Sequence, residues 1–140
     1  MDLLSFAKNI ADRVEAQSAR VKVPVAICVI DIHGNTVLTH RMSGAPAFSI
    51  ELSERKAYTS ALVGLRTADL SALVQPGQDL FALVGLSGGR FCSMGGGAPL
   101  TSDGQLVAGV GVSGGTVAQD VDILESAFRE TVRPALTAAS

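Results

Sequence analysis

A strand-like segment near the end of the chain passes directly into a helix, and this order restricts the folds that the chain can adopt. Leu106 to Val112 is almost wholly apolar, Ser113-Gly-Gly-Thr116 follows, and the pattern predicts a helix from Thr116 to about Ala138. Gln119 lies three residues after Thr116, which is the spacing of a capping box at a helix start. We expect Pro134 to bend or shorten the end of this helix.

The same segment contains a glycine pattern that resembles a nucleotide-binding motif. Gly109-Val-Gly-Val-Ser-Gly114 matches G-x-G-x-x-G between a strand and a helix. A dinucleotide-binding unit needs a second parallel strand carrying an acidic residue after that helix. Only 26 residues follow Gly114, and they are predicted to form one helix. The sequence therefore argues against nucleotide binding.

The rest of the chain alternates helical and strand-like patterns. The predicted elements are a helix over 2–20, strands over 23–30 and 36–42, a helix over 48–63, a short helix over 67–74, and a hairpin of strands over 80–86 and 90–94. Thr67 is the predicted N-cap of the short helix. The predicted core contacts of the 48–63 helix are Ile50, Ala57, Ala61 and Leu62. Because hairpins predominate, we predict an α/β (α+β) fold with a mainly antiparallel sheet flanked by helices, in a single domain over residues 1–140.

Composition and charge exclude several classes of partner. The chain carries 11 Lys and Arg against 13 Asp and Glu, a net charge of −2, and no basic run of the kind that binds nucleic acid. We find no basic amphipathic face for a membrane surface, no signal-peptide pattern at the start and no apolar stretch of bilayer length. Cys28 and Cys92 lie in apolar sequence and are predicted to be buried, unpaired thiols. We expect a cytoplasmic protein.

Two groups of residues are candidates for binding an anion. Ser113 to Thr116 present backbone N–H groups at a helix start, which attract carboxylates and phosphates, although the glycines are equally explained by a tight turn. Gly95-Gly96-Gly97 permits close approach of a ligand or of a neighbouring chain, or forms a loop or bulge. Arg41 and Lys56 flank the loop between them and supply positive charge. Lys56 belongs to a charged stretch, Glu51 to Tyr58, whose simpler interpretation is a solvated helix face.

The two histidines and three sulfur-containing residues are candidates for ligating haem iron. His33 falls in a predicted turn and is explained as well by solvation. His40 shares a strand face with Leu38 and Met42, where a half-buried structural histidine is the simpler interpretation. Met42, Met94 and Cys92 carry sulfur ligands for iron, yet core packing also accounts for them. No pair of residues has spacing diagnostic of zinc, and no metal site is predicted.

Several motifs together resemble the GlcG/HbpS-like family, which includes the C-terminal domain of PduO-type proteins. The matching segments are Asp31-x-x-Gly34-Asn35, Arg41–Pro46, Lys56-Ala57, Val74–Gln78, Gly95–Leu100, Asp103-Gly104, Gly109–Thr116 and Gln119-Asp120. They extend over essentially the whole chain. The combination of Gly-Val-Ser-Gly-Gly-Thr with Gln-Asp is specific, whereas each motif alone is not.

The resemblance implies a profilin-like fold with a five-stranded sheet and assembly into a homo-oligomer. It also implies a link to haem binding or sensing, to glycolate use, or to propanediol and glycerol pathways with cobalamin-dependent enzymes. The adenosyltransferase activity of full PduO proteins belongs to an N-terminal domain and is not implied. The candidate ligand-binding residues are Arg41, Met42, Lys56, Gly96, Gly97, Ser113, Gly114, Gly115 and Thr116, and the candidate iron ligands are His40 and His33.

Two hypotheses of different classes follow. The first is a non-catalytic oligomer that binds haem or a related tetrapyrrole, with His40 or Met42 lining an apolar cleft and Arg41 meeting the propionates. The second is an enzyme or pathway accessory for an anionic metabolite, in which Arg41, Lys56 and the Ser113–Thr116 helix start converge on one pocket. The sequence does not decide whether the protein is an enzyme.

The haem hypothesis predicts that hemin added to the protein gives a shifted Soret band and that His40→Ala abolishes the shift, because the imidazole would be the iron ligand. Absorbance titration at micromolar protein measures this. A spectrum identical to that of free hemin would reject the hypothesis.

Overall fold

The fold is built on one antiparallel sheet of four strands. The computed structural model of the protein describes residues 1–129. In chain order the strands are β1 (Ala26–Asp31), β2 (Thr36–Arg41), β3 (Gly97–Ser102) and β4 (Gln105–Ser113). Their order across the sheet is β2–β1–β4–β3. The near-continuous apolar sequence of β1 follows from its central position, because a strand that is covered on both faces has no solvent-facing side.

Helices cover both faces of this sheet. They are α1 (Leu3–Val21), α2 (Ser49–Val63), α3 (Thr67–Leu70) and α4 (Val117–Ala127), and short 3-10 helices span Ser71–Val74, Phe81–Gly85 and Ser87–Gly89. One face of the sheet packs with α1 and α4, where Val14, Ile27 and Ile123 belong to the same buried cluster. The other face packs with α2, where Cys28, Ile30 and Ala57 form a second cluster.

Glycines let the backbone of α2 lie close to the sheet. A Cβ at Gly111 would overlap the Ser53 carbonyl oxygen and lie 2.7 Å from the Ala57 nitrogen, and one at Gly97 would lie 2.7 Å from the Lys56 carbonyl oxygen. Gly97 and Gly111 are directly paired neighbours on β3 and β4. The α2 backbone therefore packs directly against the backbone of β3 and β4 at these glycines, with no side chain between them.

The predicted middle of the sheet is wrong. Residues 80–86 and 90–94 do not form a hairpin; 3-10 helices and turns occupy most of this region, and no residue between 75 and 90 is buried. Instead β3 is built from Gly97–Ser102, a Gly- and Pro-containing segment for which the sequence pattern predicts no strand. The described part of the chain thus has four strands rather than the predicted five. The α+β class and the antiparallel sheet are confirmed.

The helices are closer to prediction than the middle strands. α1 and α2 begin and end within one residue of the predicted bounds. Ala57 and Ala61 are buried as predicted, whereas Ile50 and Leu62 are exposed. The reason is that α2 packs its small residues against the glycines of β3 and β4. The predicted capping box is present, with the Thr116 hydroxyl accepting from the Gln119 N–H and the Gln119 side chain accepting from the Thr116 N–H. The predicted helix beyond residue 129 and the Pro134 bend lie outside the described residues.

Two further predictions concern individual side chains, and the first is wrong while the second is confirmed. Thr67 is the first residue of α3 rather than its N-cap, and its hydroxyl oxygen accepts a hydrogen bond from the Gly97 N–H at 2.8 Å. Cys28 and Cys92 are buried and unpaired, as predicted. Burial raises the pKa of the Cys28 thiol to about 11, which keeps it protonated at neutral pH.

We predict that Gly111→Ala destabilises the protein by about 3 kcal/mol, because the added methyl group must push α2 away from the sheet. Urea unfolding followed by circular dichroism measures the change. Gly85→Ala is the matched control, since a Cβ at Gly85 has nothing within 4 Å. Equal stability of the two variants would show that α2 is not held at this distance.

Candidate functional site

A buried ion pair connects the helices on opposite faces of the sheet. The Lys56 side chain on α2 is fully buried, and its Nζ donates to Asp120 Oδ2 at 3.0 Å and to the Val112 carbonyl oxygen at 2.8 Å. Asp120, on α4, also accepts a hydrogen bond on Oδ1 from the Gly115 N–H at 2.9 Å. The alternative interpretation of Lys56, that it lies on a solvated helix face, is therefore wrong.

Local structure makes room for this pair and compensates its burial. Gly96 has φ +122°, and a Cβ there would lie 2.7 Å from Lys56 Nζ, so a larger residue would obstruct the ammonium group. Burial raises the pKa of the Asp120 carboxyl, while the Lys56 charge and the Gly115 N–H oppose the shift by stabilising the carboxylate. The pair is favourable only because each partner has further hydrogen bonds.

The predicted anion-binding residues are brought near one another, but their binding capacity is used internally. Lys56 reaches the end of β4, and the Gly115 N–H points at the same Asp120 carboxylate. The Thr116 N–H donates to Gln119 Oε1 at 2.8 Å. The carboxylate bound by this cation and by this helix start is thus the protein's own Asp120.

Arg41 and Ser113 flank this region across the sheet. Both pair with Ala26 of β1, one from each side, which places their Cα atoms about 10 Å apart. Arg41 is exposed, and its Nη1 donates to the Ala45 carbonyl oxygen at 3.0 Å. Ser113 is buried, and its hydroxyl has no hydrogen-bond partner within residues 1–129.

The candidate iron ligands lie on the outside of the fold or in the core. His40 is exposed on β2, with Nδ1 2.9 Å from Glu15 Oε2 on α1. His33 is exposed in the β1–β2 turn, where its backbone N–H donates to Asp31 Oδ1. Met42 is half-buried and packs against the core beside α1 and α4. Among the described residues, no three His, Cys, Asp or Glu side chains cluster closely enough to hold a metal ion.

A cleft of about 590 Å³ lies between the start of α2 and the segment that follows the 3-10 helices. We call it the Phe48–Met94 cleft, and its lining residues are Phe48, Glu51, Leu52, Arg55, Val84, Gly89, Phe91, Cys92, Ser93 and Met94. Cys92 and Met94 are among the sulfur ligands considered from the sequence, whereas the cleft itself is not predicted. A signal was available, because residues 48, 51, 52 and 55 have the spacing of one helix face.

Side chains of α2 make polar contacts with residues 87–90, a segment beside the cleft that we call its outer wall. Arg55 Nη1 donates to the Gly89 carbonyl oxygen at 2.7 Å, and its Nε lies 3.4 Å from Glu51 Oε2. Tyr58 donates through its hydroxyl to Ser87 Oγ at 3.0 Å, and the Arg90 guanidinium stacks 3.8 Å above the Tyr58 ring. The wall is therefore attached by side chains rather than by strand pairing.

Comparison with known proteins identifies the family. The family model described as "Haem degrading protein HbpS-like" matches residues 4–129. The chain belongs to the HbpS-like family. This confirms the resemblance drawn from the glycine motifs, since GlcG and PduO proteins are also among the matching relatives.

The relatives differ in how much of their length they share with this HbpS-like chain. A 15.0 kDa protein from the dhaT–dhaS intergenic region of Citrobacter freundii is 40% identical over 89% of this chain and 88% of its own length. The corrinoid adenosyltransferase PduO of Salmonella typhimurium is 40% identical over 91% of this chain, which spans only 37% of PduO. The solved PduOC:heme complex is 36% identical, covers 87% of this chain and 88% of its own, and superposes with a TM-score of 0.82.

Within residues 1–129, no helix combines the length and the apolar character needed to cross a bilayer.

We predict that Lys56→Met lowers the free energy of unfolding by about 3–5 kcal/mol at pH 7, because it leaves the Asp120 carboxylate buried and unpaired. Losing the Lys56 charge raises the pKa of Asp120 further. When the pKa of a carboxyl is higher in the folded than in the unfolded protein, the free energy of unfolding falls as the pH rises. The fall begins near the ordinary pKa of 3.8 and continues through the raised pKa of the folded state. The deficit of Lys56→Met relative to the unmodified protein should therefore shrink as the pH falls.

Urea unfolding at several pH values measures this deficit. The double variant Lys56→Met/Asp120→Asn is the control, because it lacks the titrating carboxyl and should show no such trend. A Lys56→Met deficit independent of pH would contradict the assignment of Asp120 as the destabilising charge.

Proposed function

We propose that this protein binds haem or a related tetrapyrrole in the Phe48–Met94 cleft. The observation that carries the proposal is that one cleft brings together two phenylalanine rings, a guanidinium group and a thioether. These are the groups that a flat apolar macrocycle with carboxylate side chains and a central iron requires. The haem complex of the related PduOC structure supports the same ligand class.

The cleft meets the physical requirements of such a ligand. Its volume of about 590 Å³ lies within the range of small-molecule and cofactor sites. Phe48 is 59% exposed, so the free protein leaves an aromatic surface in water that a bound macrocycle would cover. Burying apolar area of this kind is the main favourable contribution to binding.

Two side chains of the cleft, Met94 and Arg55, have specific roles in the proposal. Met94 is 46% exposed and presents a thioether, a known axial ligand of haem iron. Arg55 lies in the same lining and suits a propionate, because guanidinium and carboxylate form charge-assisted hydrogen bonds. When bound, haem would supply iron redox and ligand-binding chemistry, and the protein would position the macrocycle and limit its exposure to water.

The histidines and the candidate ligand-binding residues predicted from the sequence lie outside the lining of this cleft. His40 and His33 do not line this cleft, and the His40 ring is already in contact with Glu15. Arg41, Met42, Lys56, Gly96, Gly97 and the Ser113–Thr116 turn are likewise outside its lining. The His40→Ala variant below tests whether His40 binds the iron instead of Met94.

We also propose that the protein works as a homo-oligomer with profilin-like subunits, as the family resemblance implies, and that it is cytoplasmic, as its two unpaired cysteines indicate. Exposed apolar side chains between α3 and β3 support self-association, because a large apolar surface on a soluble protein commonly marks an interface. They are Leu80, Phe81, Val84 and Leu86, each at least 37% exposed.

We predict a shifted Soret band when hemin is titrated into the protein at micromolar concentration. Met94→Ala should change the band position, because the thioether ligand is lost. Arg55→Gln should weaken affinity about tenfold without moving the band, since it removes a charged hydrogen bond remote from the iron. Absorbance titration measures both the band position and the affinity.

His40→Ala is the matched control for Met94→Ala, because both remove an exposed side chain that can ligate iron. The present proposal expects His40→Ala to bind hemin normally. Loss of the band in His40→Ala with normal binding in Met94→Ala would overturn the location, and no band shift in the unmodified protein would overturn haem binding itself.

A further inference from the structure

We propose that a second cleft, at the outer edge of β3, binds a monocarboxylate with an apolar body. Its volume is about 490 Å³, and it lies between α4, the start of α3 and the β3 backbone. We call it the Arg66–Arg129 cleft. It shares no lining residue with the Phe48–Met94 cleft, so the inference is independent of the proposed function.

One side of this cleft is apolar. Val121 and Leu124 of α4 line it together with Phe128, the C-cap residue of that helix, and Ala98 and Pro99 of β3 also belong to the lining. Residues 121, 124 and 128 are spaced by three and four, which places them on one helix face. Val121 and Phe128 are only partly buried, so they present apolar surface that a hydrocarbon chain can cover.

The edge of β3 that has no strand partner argues for a small molecule rather than an added strand. The Gly97 N–H, on the side away from β4, already donates to Thr67 Oγ1. Pro99, two residues later and hence on the same side, has no N–H to donate. Because strand addition depends on such donors, this part of the edge cannot hold a partner strand in regular register.

The charges of the cleft select the head group. Arg66 pairs with Glu125, and Arg129 lies four residues after Glu125, with its Nη2 donating to Ser126 Oγ at 3.0 Å. Two guanidinium groups face one carboxylate, so the lining carries one surplus positive charge. A ligand with a single carboxylate balances it, and the guanidinium group of Arg129 offers further donors for two-point binding.

Octanoate is the probe for this inference, because it joins one carboxylate to a flexible apolar chain. Calorimetric titration of the full chain should show saturable binding of octanoate, and 1-octanol should bind at least about tenfold more weakly because it lacks the charge. Arg129→Gln should weaken octanoate binding about tenfold. Ala68→Phe should abolish it by filling the cleft from α3.

Arg55→Gln is the matched control, because it removes the corresponding charge from the other cleft and should leave octanoate binding unchanged. Arg129 is exposed, so its substitution should leave the fold intact, which circular dichroism checks. Absence of saturable octanoate binding, equal affinity for 1-octanol, or sensitivity to Arg55→Gln instead of Arg129→Gln would each overturn the inference.

Hemin titration of the same variants separates this inference from the proposed function. Arg129→Gln should bind hemin normally if the two clefts are distinct sites. Loss of hemin binding in Arg129→Gln with normal binding in Arg55→Gln would mean that the macrocycle occupies the Arg66–Arg129 cleft, and it would overturn both assignments.

Discussion

The Lys56–Asp120 ion pair is the interaction on which the arrangement of the layers depends. Lys56 belongs to the helix on one face of the sheet and Asp120 to a helix on the other, and they meet where β4 ends. Asp120 also holds the Gly115 N–H, so one carboxylate orients both α2 and the turn into α4. Burying two charges costs several kcal/mol per ion before pairing, which explains why each has additional hydrogen bonds.

The close contact between α2 and the sheet explains why the Phe48–Met94 cleft lies on the other side of this helix. Its inner face is used against Gly97 and Gly111, where no side chain separates the two backbones. The residues left outside include Phe48 and Arg55, which meet the 3-10 segment instead. That segment has no strand partner and little burial, so the cleft beneath it is lined by exposed aromatic and apolar groups available to a ligand or to another subunit.

Much of the architecture was predictable, and the errors have a common physical origin. The amphipathic helices, the β1–β2 hairpin and the capping box follow from periodicity and local hydrogen bonding, which act within a few residues. The predicted hairpin at 80–94 failed because apolar residues there are exposed rather than paired. β3 was missed because Gly97 and Pro99 have low strand propensity, and only its pairing with β4 and the approach of α2 stabilise it.

The sequence by itself determined the family, the α+β class, the antiparallel sheet and the turn from β4 into α4, because these are encoded in contiguous motifs and short-range spacing. It also identified Lys56 and the Ser113–Thr116 turn as an electrostatic constellation. Only the tertiary structure decided that Asp120, 64 residues from Lys56, supplies the anion, and that Phe48 and Met94 line one cleft. Such contacts join residues far apart in the chain, and their energies depend on burial, which no local pattern specifies.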